Sequence, residues 1–347
     1  MTVAGTLTTL LEAAGLRAVL RSAQPGLWTE TGLLLPYLPV SFSAAMIDYQ
    51  LAYWSGNGVP IEDLSLILLH DNRPCGLWPL SVSRLAEGPF LGASGLMLSP
   101  PLFVAHLAAR SVKTLSAQCL EVAMQLAKAL QIVSWQSGES FIGQTGLSEW
   151  HDRALRHGAS VSLQHELYAD LTPDLATIKS TFRKSFKALV TSGTKHWQVA
   201  LLEGEGKEVW EEYRLLHLAV SGRVTRSLES WEMQYRAILD GDAFLAYLRD
   251  DAGKMVGGGL FHVTRDEGLY AIGAYDRDLF DKPLGHVVQY RAIEAMKQRG
   301  VRWYKLGLRC YPADDPAPAD KDLAIADFKQ GFASHLFPRY VIQHRIS

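Results

Sequence analysis

Four cationic residues lie close together between positions 179 and 187 of the sequence. Lys179, Arg183 and Lys187 follow one another at intervals of four, which in a helix places them on one face, and Lys184 lies beside them. No acidic residue separates them, so each like-charged pair costs roughly 0.2–0.5 kcal/mol, and a bound anion would relieve this repulsion. The spacing predicts a surface that binds an anionic acceptor, although a solvated basic helix face has the same pattern.

Further cations occur in segments with few neighbouring acids. Lys329 stands between two aromatic residues in the segment 328–332 (FKQGF), where an ammonium group could bind phosphate or a developing oxyanion. Arg223 and Arg226 lie in the polar loop 221–227, which suits a phosphorylated acceptor but also an ordinary surface loop. Arg309 follows a predicted strand and is assigned to the same acceptor site.

Two side chains are candidates for moving a proton. Tyr311 lies in a loop after a predicted strand, where it could return a proton to a leaving group, although most loop tyrosines serve packing. His217 shares one face of a predicted helix with Trp210 and Tyr213, a pattern that favours a packed core histidine over a base. We keep both with Lys329 as catalytic candidates.

The stretch 257–309 contains an ordered series of predicted elements that would position these groups. Apolar and aromatic residues predict antiparallel strands at 254–265 and 269–277, with a turn at 266–268. A loop at 278–285 precedes a predicted helix from about His286 to Arg299, with Gly300 as its C-terminal cap. A further strand is predicted at 301–307.

Backbone groups in this stretch predict a site for an acyl donor. Gly273 weakens the strand ladder, so the amides of Gly273 and Ala274 can face a thioester carbonyl and its oxyanion. The predicted helix start at Gly285 and His286 presents free N–H groups, which can bind a pyrophosphate. The order of strand, strand, glycine-containing loop, helix and strand is similar to the donor site of GNAT-type N-acyltransferases.

The first half of the chain repeats this order of elements. A hairpin is predicted from 64–70 and 75–83, followed by a helix at 111–130 and a strand at 132–136. We interpret the repeat as a duplication of architecture without visible residue-level repetition. The alternative is a single large α+β domain.

The combined features resemble the FemAB-like, or CelD-type, branch of the GNAT acyltransferase superfamily. The resemblance rests on the basic stretch 183–187, the strand 270–278 (YAIGAYDRD), the loop 282–285 (KPLG) and the segment 328–332. It implies an α/β fold with mixed sheets and two fused GNAT-like modules, residues 1–165 and 166–347, with the active site in the second. Of the basic-x-x-Gly-x-Gly loop of simple GNATs only Gly285 is kept.

The resemblance also implies transfer of an acyl group onto an amine. The expected donor is acetyl-CoA, and the expected acceptor is a UDP-linked amino sugar, such as a pseudaminic-type precursor of flagellin or surface glycans. One alternative is a FemAB-type peptidyl transferase that uses aminoacyl-tRNA. Another is a non-catalytic module that binds a nucleotide or glycan.

Composition limits the other classes of function. The formal net charge is -2 and the sequence pI about 6.6, so no overall attraction to nucleic acid or to an anionic membrane is expected. Cys75, Cys119 and Cys310 lack metal-ligand spacing, which favours a reducing cytoplasm and no bound metal. No apolar run approaches the about 18 residues that span a bilayer. The sequence does not indicate an oligomeric state.

Overall fold

The computed structural model describes residues 2–140 and 147–345 and has the mixed α/β fold that the sequence predicts. The chain groups into two compact units. The first unit comprises Met1–Gln164 with Pro338–Ser347, and the second comprises His165–Phe337. The division into modules of residues 1–165 and 166–347 stays a prediction.

The first unit combines helices with short antiparallel strands. Its helices are α1 (Val3–Ala13), α2 (Pro25–Leu33), α3 (Ala44–Gly56), α4 (Ala109–Ala129) and α5 (Glu149–Arg156). Its strands are β1 (Ala18–Leu20), β2 (Ile61–Asp63), β3 (Leu66–His70), β4 (Arg73–Trp78), β5 (Ser81–Leu85), β6 (Gly88–Gly92), β7 (Leu102–Phe103) and β8 (Ser134–Ser140). Pairing gives the strand orders β1-β3-β4-β7 and β2-β5-β6.

The second unit contains the strands and helices that position the candidate site. Its helices are α6 (Leu175–Thr181), α7 (Lys184–His196), α8 (Lys207–Ser221), α9 (Leu228–Leu239), α10 (Leu284–Gln298) and α11 (Asp320–Gln330). Its strands are β9 (Ser160–Asp170), β10 (Gln198–Leu202), β11 (Ala243–Arg249), β12 (Met255–Val263), β13 (Glu267–Tyr275) and β14 (Trp303–Arg309), and β15 (His335–Arg345) follows. Both β9 and β15 have residues in each unit.

Neighbouring strands of the second unit follow the order β10-β11-β12-β13-β14-β9. All of these pairs are antiparallel except β13 with β14, which is parallel. A parallel pair needs a crossover connection, and α10 supplies it. The helix buries Val288, Ala292, Ala295 and Met296.

Three consecutive glycines in β12 allow helices to pack closely on the strand. A Cβ at Gly258 would lie 3.1 Å from the Tyr213 ring of α8, and one at Gly259 would lie 3.0 Å from Val288 of α10. All nine residues of β12 are buried. Side chains of the same unit therefore occupy the space beside these glycines.

The parallel strands β13 and β14 pair only at their beginnings. Their register runs from Glu267↔Trp303 to Leu269↔Lys305 and then stops. Each strand is irregular just beyond this point: the pairing of β13 with β12 passes over Ala271, and the pairing of β14 with β9 passes over Leu306. Such bulges bend a strand and increase its twist, so the two strands part toward their C-terminal ends.

Candidate active site in the second unit

The space between the parted ends of β13 and β14, here called the gap, is the candidate active site. Tyr270, Gly273 and Tyr275 line it on β13, and Gly307 lines it on β14. Gly273 is exposed and the other three are half-buried. Because Gly273 is exposed within the sheet, a substrate can reach its main-chain groups.

Helix α11 brings Lys329 to the gap. The Nζ atom lies 2.8 Å from the place that a Cβ would take at Gly307, and 5.7 Å from the centre of the Tyr270 ring. Gly307 has a φ of 121°, a conformation that glycine adopts readily and other residues do not. Among the described residues, Lys329 has no hydrogen-bond or ion-pair partner.

The environment of Lys329 disfavours its charge. Burial lowers the pKa of the Lys329 amine, and the neighbouring Cys310 only partly opposes this. A buried amine without a carboxylate partner is costly to maintain, which favours a functional role over a structural one. The structure thus places the sequence-predicted Lys329 at the parted strands.

Two tyrosines that the sequence analysis did not select lie across the gap. The hydroxyls of Tyr270 and Tyr275 are 3.2 Å apart, and a Cβ at Gly273 would lie 1.9 Å from the Tyr270 hydroxyl. Burial raises the pKa of both phenols, so both are protonated at neutral pH. In the sequence, the feature that could have identified these tyrosines is their position on either side of Gly273.

The two residues whose amides are predicted to hold a thioester, Gly273 and Ala274, differ in exposure. Gly273 is exposed, whereas Ala274 is buried and pairs with Gly258 inside the β12–β13 ladder. The peptide group released by the bulge belongs to Ala271. The Tyr213 hydroxyl of α8 donates a hydrogen bond of 3.1 Å to the carbonyl oxygen of Ile272. Donor binding by Gly273 and Ala274 stays a prediction.

The start of α10 is covered on one side by aromatic rings. Pro283 precedes the helix without a side-chain cap, and a Cβ at Gly285 would lie 3.0 Å from the Phe328 ring. The His286 ring lies 4.5 Å from Phe186 and 5.2 Å from Phe328 between ring centres. Pyrophosphate binding by Gly285 and His286 stays a prediction, and the His286 side chain serves packing.

We expect the unfolding free energy to decrease as the pH falls from 6.5 toward 4. Burial lowers the pKa of His286 to about 4, so in this window the unfolded chain binds a proton that the folded chain does not. His286→Phe keeps an aromatic ring and should reduce the pH slope of stability by up to about 1.4 kcal/mol per pH unit. Urea unfolding between pH 7 and pH 4 measures the slope.

The exposed His106 provides the matched control for this prediction. His106→Phe should leave the slope unchanged, because the His106 side chain is exposed and does not belong to the aromatic cluster around His286. An equal change of slope in both variants would show that His286 is not held neutral by its aromatic surroundings.

The predicted basic helix is interrupted, so its cations do not form one stripe. Helix α6 ends at Thr181 and α7 begins at Lys184, and the intervening Phe182 has an extended conformation and is buried. Asp174 caps the first of these helices by accepting a hydrogen bond from the Thr177 backbone N–H.

Each of the three predicted acceptor-binding cations of this segment has a partner. Arg183 donates from both terminal nitrogens to the Asp327 carboxylate, at 2.9 and 3.0 Å. Lys187 donates to the carbonyl oxygen of Ser180, and Lys179 donates to Thr191. Only Arg183 is paired with a carboxylate, whereas the other two cations donate to neutral oxygen atoms. Acceptor binding by these residues stays a prediction.

His217 and Arg226 lie together on α8 and the loop that follows it. Arg226 donates to the Nε2 atom of His217 at 3.2 Å, and the His217 ring packs edge-on against Trp231. Burial, reinforced by the Arg226 charge, lowers the pKa of His217 to about 4. A neutral imidazole with so low a pKa is a weak base. Arg223 is exposed on the same loop.

Arg309 is the last residue of the gap strand β14, and Tyr311 follows two positions later. The Arg309 guanidinium lies 4.6 Å from the Tyr311 ring centre, and it donates to the carbonyl oxygen of Cys310. The ring of Tyr311 also packs against His165. Proton return by Tyr311 and acceptor binding by Arg309, Arg223 and Arg226 stay predictions.

The described residues contain neither a cluster of metal ligands nor a membrane-spanning helix. In the part of the chain from 2 to 140 and from 147 to 345, no group of three or more histidine, cysteine or acidic residues is placed to hold a metal ion. Within the same residues, no helix is long and apolar enough to cross a bilayer.

Comparison with known proteins identifies the class of the second unit. Residues 178–321 match the family model described as an acetyltransferase (GNAT) domain. A comparison with curated proteins finds no match. The gap, the crossover helix α10 and β14 all fall inside the matched residues.

Solved structures extend the likeness to most of the chain. FemX superposes with a TM-score of 0.68 at 14% identity, covering 90% of this chain and 95% of FemX. A domain from Agrobacterium fabrum assigned to a lysylphosphatidylglycerol synthetase gives 0.60 at 12%, covering 93% and 92%. A tandem GNAT protein from the clavulanic acid biosynthesis pathway gives 0.52 at 14%, covering 96% and 98%.

Residues 178–321 therefore match a GNAT acetyltransferase domain. The fold of most of the chain is similar to that of FemX and of the tandem GNAT protein.

Proposed function

We propose that the second unit transfers an acyl group from an aminoacyl ester to the amine of an acceptor, and that the transfer takes place at the gap. The position of Lys329 carries this proposal. Its half-buried amine is held at the parted strands, and among the described residues it has no hydrogen-bond or ion-pair partner. Such a group can donate hydrogen bonds to a substrate atom on which negative charge develops.

The residues of the gap suit the electronic demand of acyl transfer. The acceptor nitrogen attacks the carbonyl carbon, a C–N bond forms, and the bond from carbon to the leaving oxygen breaks. The proton lost by the amine passes to that oxygen, and Tyr311 is the candidate that returns it. Negative charge collects on the carbonyl oxygen in the intermediate. Lys329 carries N–H donors in either protonation state and stabilises that charge.

The side chains at the start of α10 and in the gap favour a short ester over a CoA thioester as the acyl donor. A CoA thioester would need the N-terminus of α10 for its pyrophosphate and the gap for its flexible arm. Phe328 packs against Gly285 at the N-terminus of α10, and Lys329 lies in the gap. This arrangement does not fit a CoA thioester, and it leaves the gap accessible to a short ester. The name of the lysylphosphatidylglycerol synthetase neighbour, which describes attachment of a lysyl group, supports the choice.

A second candidate is acetyl-CoA-dependent N-acetylation of a UDP-linked amino sugar for surface or flagellin glycans. The observation in its favour is the uncapped start of α10, whose first N–H groups can bind a phosphate. In this candidate the exposed Gly273 would face the thioester, and Arg309 beside the gap strand would bind the diphosphate of the acceptor.

Thermal denaturation with a panel of ligands tests the proposal. Charged tRNA, acetyl-CoA and UDP-N-acetylglucosamine are each added to the full chain at increasing concentration. A ligand that binds only the folded state at 100 times its Kd adds about 2.7 kcal/mol to stability. Stabilisation by charged tRNA but not by uncharged tRNA is the expected result.

The other results of the panel decide against the proposal. Stabilisation by acetyl-CoA, followed by acetyl transfer to an amino sugar, would replace it with the second candidate. Stabilisation by the sugar nucleotide alone, without transfer from any donor, would identify a binding module instead of an enzyme.

A further inference from the structure

We propose that Tyr270 and Tyr275 are specificity-determining residues, because together they close the gap to the flexible arm of a CoA thioester. The inference rests on the proposed function, since it explains how the gap selects a short acyl ester. It assigns that selection to two side chains of β13.

The geometry places both hydroxyls over one glycine. The Tyr270 hydroxyl lies 1.9 Å from the position of a Cβ at Gly273, and the Tyr275 ring lies 3.1 Å from the same point. The two hydroxyls are 3.2 Å apart. The two phenols, here called the bridge, therefore meet on the side of Gly273 to which a Cβ would point.

The bridge lies on the side of the strand that faces α10. Gly273 pairs with Gly259, and a Cβ at Gly259 would point at Val288 of that helix. Directly paired residues point to the same face of a sheet, so the Gly273 position also faces the α10 side. A flexible donor arm that follows β13 toward the start of α10 would meet the bridge first.

Neighbouring groups hold the Tyr270 ring in place. It stacks on Phe261, with 5.2 Å between ring centres and 24° between ring planes. Lys329 lies over the same ring. The Tyr270 ring cannot move aside without losing its contacts with Phe261 and Lys329. The position of its hydroxyl over Gly273 is therefore part of the folded state.

The first experiment tests the bridge without reference to function. Gly273→Ala should destabilise the protein, because its Cβ would overlap the Tyr270 hydroxyl. Gly204→Ala is the matched control, since nothing lies within 4 Å of its Cβ position. In a Tyr270→Ala background the effect of Gly273→Ala on the unfolding equilibrium constant should be about tenfold smaller. An equal effect in both backgrounds overturns the inference.

The second experiment tests selection by measuring the binding of CoA calorimetrically. The wild type should bind CoA too weakly to detect, while Tyr270→Ala and Tyr275→Ala should each gain binding. Tyr270→Phe, which keeps the ring, should gain less than Tyr270→Ala. Wild-type binding as tight as that of the variants, or variants that bind no better than the wild type, overturns the inference. Failure of the wild type to transfer an aminoacyl group would instead overturn the proposed function, because CoA binding is measured independently.

Discussion

Lys329→Ala is expected to lower the rate of acyl transfer by about 10²- to 10³-fold, which is the usual cost of removing one donor to a developing oxyanion. The fold should persist, since among the described residues the Lys329 amine leaves no partner unsatisfied. Because the donor acts on charge that forms during reaction, kcat should decrease more than KM increases. Steady-state kinetics with a labelled aminoacyl donor, together with thermal denaturation of both proteins, measures the effect.

The same helix offers a matched control. Lys321 is exposed near the start of α11, and Lys321→Ala should leave the kinetics unchanged. If Lys329→Ala has the kcat and KM of the wild type, the gap is not the place where charge develops and the assignment of Lys329 is wrong.

Phe332→Ala is expected to destabilise the second unit by about 3–5 kcal/mol, the usual cost of removing a buried phenylalanine. Phe332 is 0% exposed. Its ring centre lies 5.2 Å from that of Phe182, 5.0 Å from Phe186 and 5.4 Å from Phe328. The contacts with Phe182 and Phe186 hold the end of α11, and with it Lys329, against the first turn of α7. Urea unfolding followed by tryptophan fluorescence gives the free energy.

Phe280 provides the comparison for this second prediction. Its side chain is 65% exposed, so Phe280→Ala should change the unfolding free energy by less than about 0.5 kcal/mol. A loss in Phe332→Ala no larger than in Phe280→Ala would mean that the aromatic cluster does not hold α11 in place.

Elements with a strong apolar pattern could be predicted from the sequence. The helix predicted at 111–130 is α4, and it buries Leu115, Cys119, Ala123 and Leu126, which recur at helical spacing. The strands β12 and β13 and the helix α10 also lie within a few residues of their predicted bounds. In these segments the local pattern and the tertiary packing demand the same structure.

The break between α6 and α7 could not be predicted from local spacing. Phe182 leaves the helical conformation because its ring packs with Phe332, which lies far along the chain. Arg183 is held by Asp327, which is 144 residues away. Cations spaced four residues apart carry no information about such distant partners. The spacing therefore suggested a free basic helix face, which the fold does not form.

The tyrosine bridge depends on a feature that the sequence pattern hides. Tyr270 and Tyr275 are five positions apart, and in a regular strand an odd separation puts side chains on opposite faces. The extra residue Ala271 shifts the alternation by one, so both hydroxyls reach the same side of Gly273. Likewise, the sequence identified Lys329 by its aromatic neighbours but gave no sign that it would lie beside Gly307.

The most direct test of the account is a crystal structure of the chain with a stable donor analogue in which an amide replaces the aminoacyl ester. We predict that its carbonyl oxygen lies about 2.7–3.1 Å from the Nζ atom of Lys329, between β13 and β14. An analogue bound with its carbonyl away from Lys329, or bound only in the first unit, would contradict the claim that the gap is the site of acyl transfer.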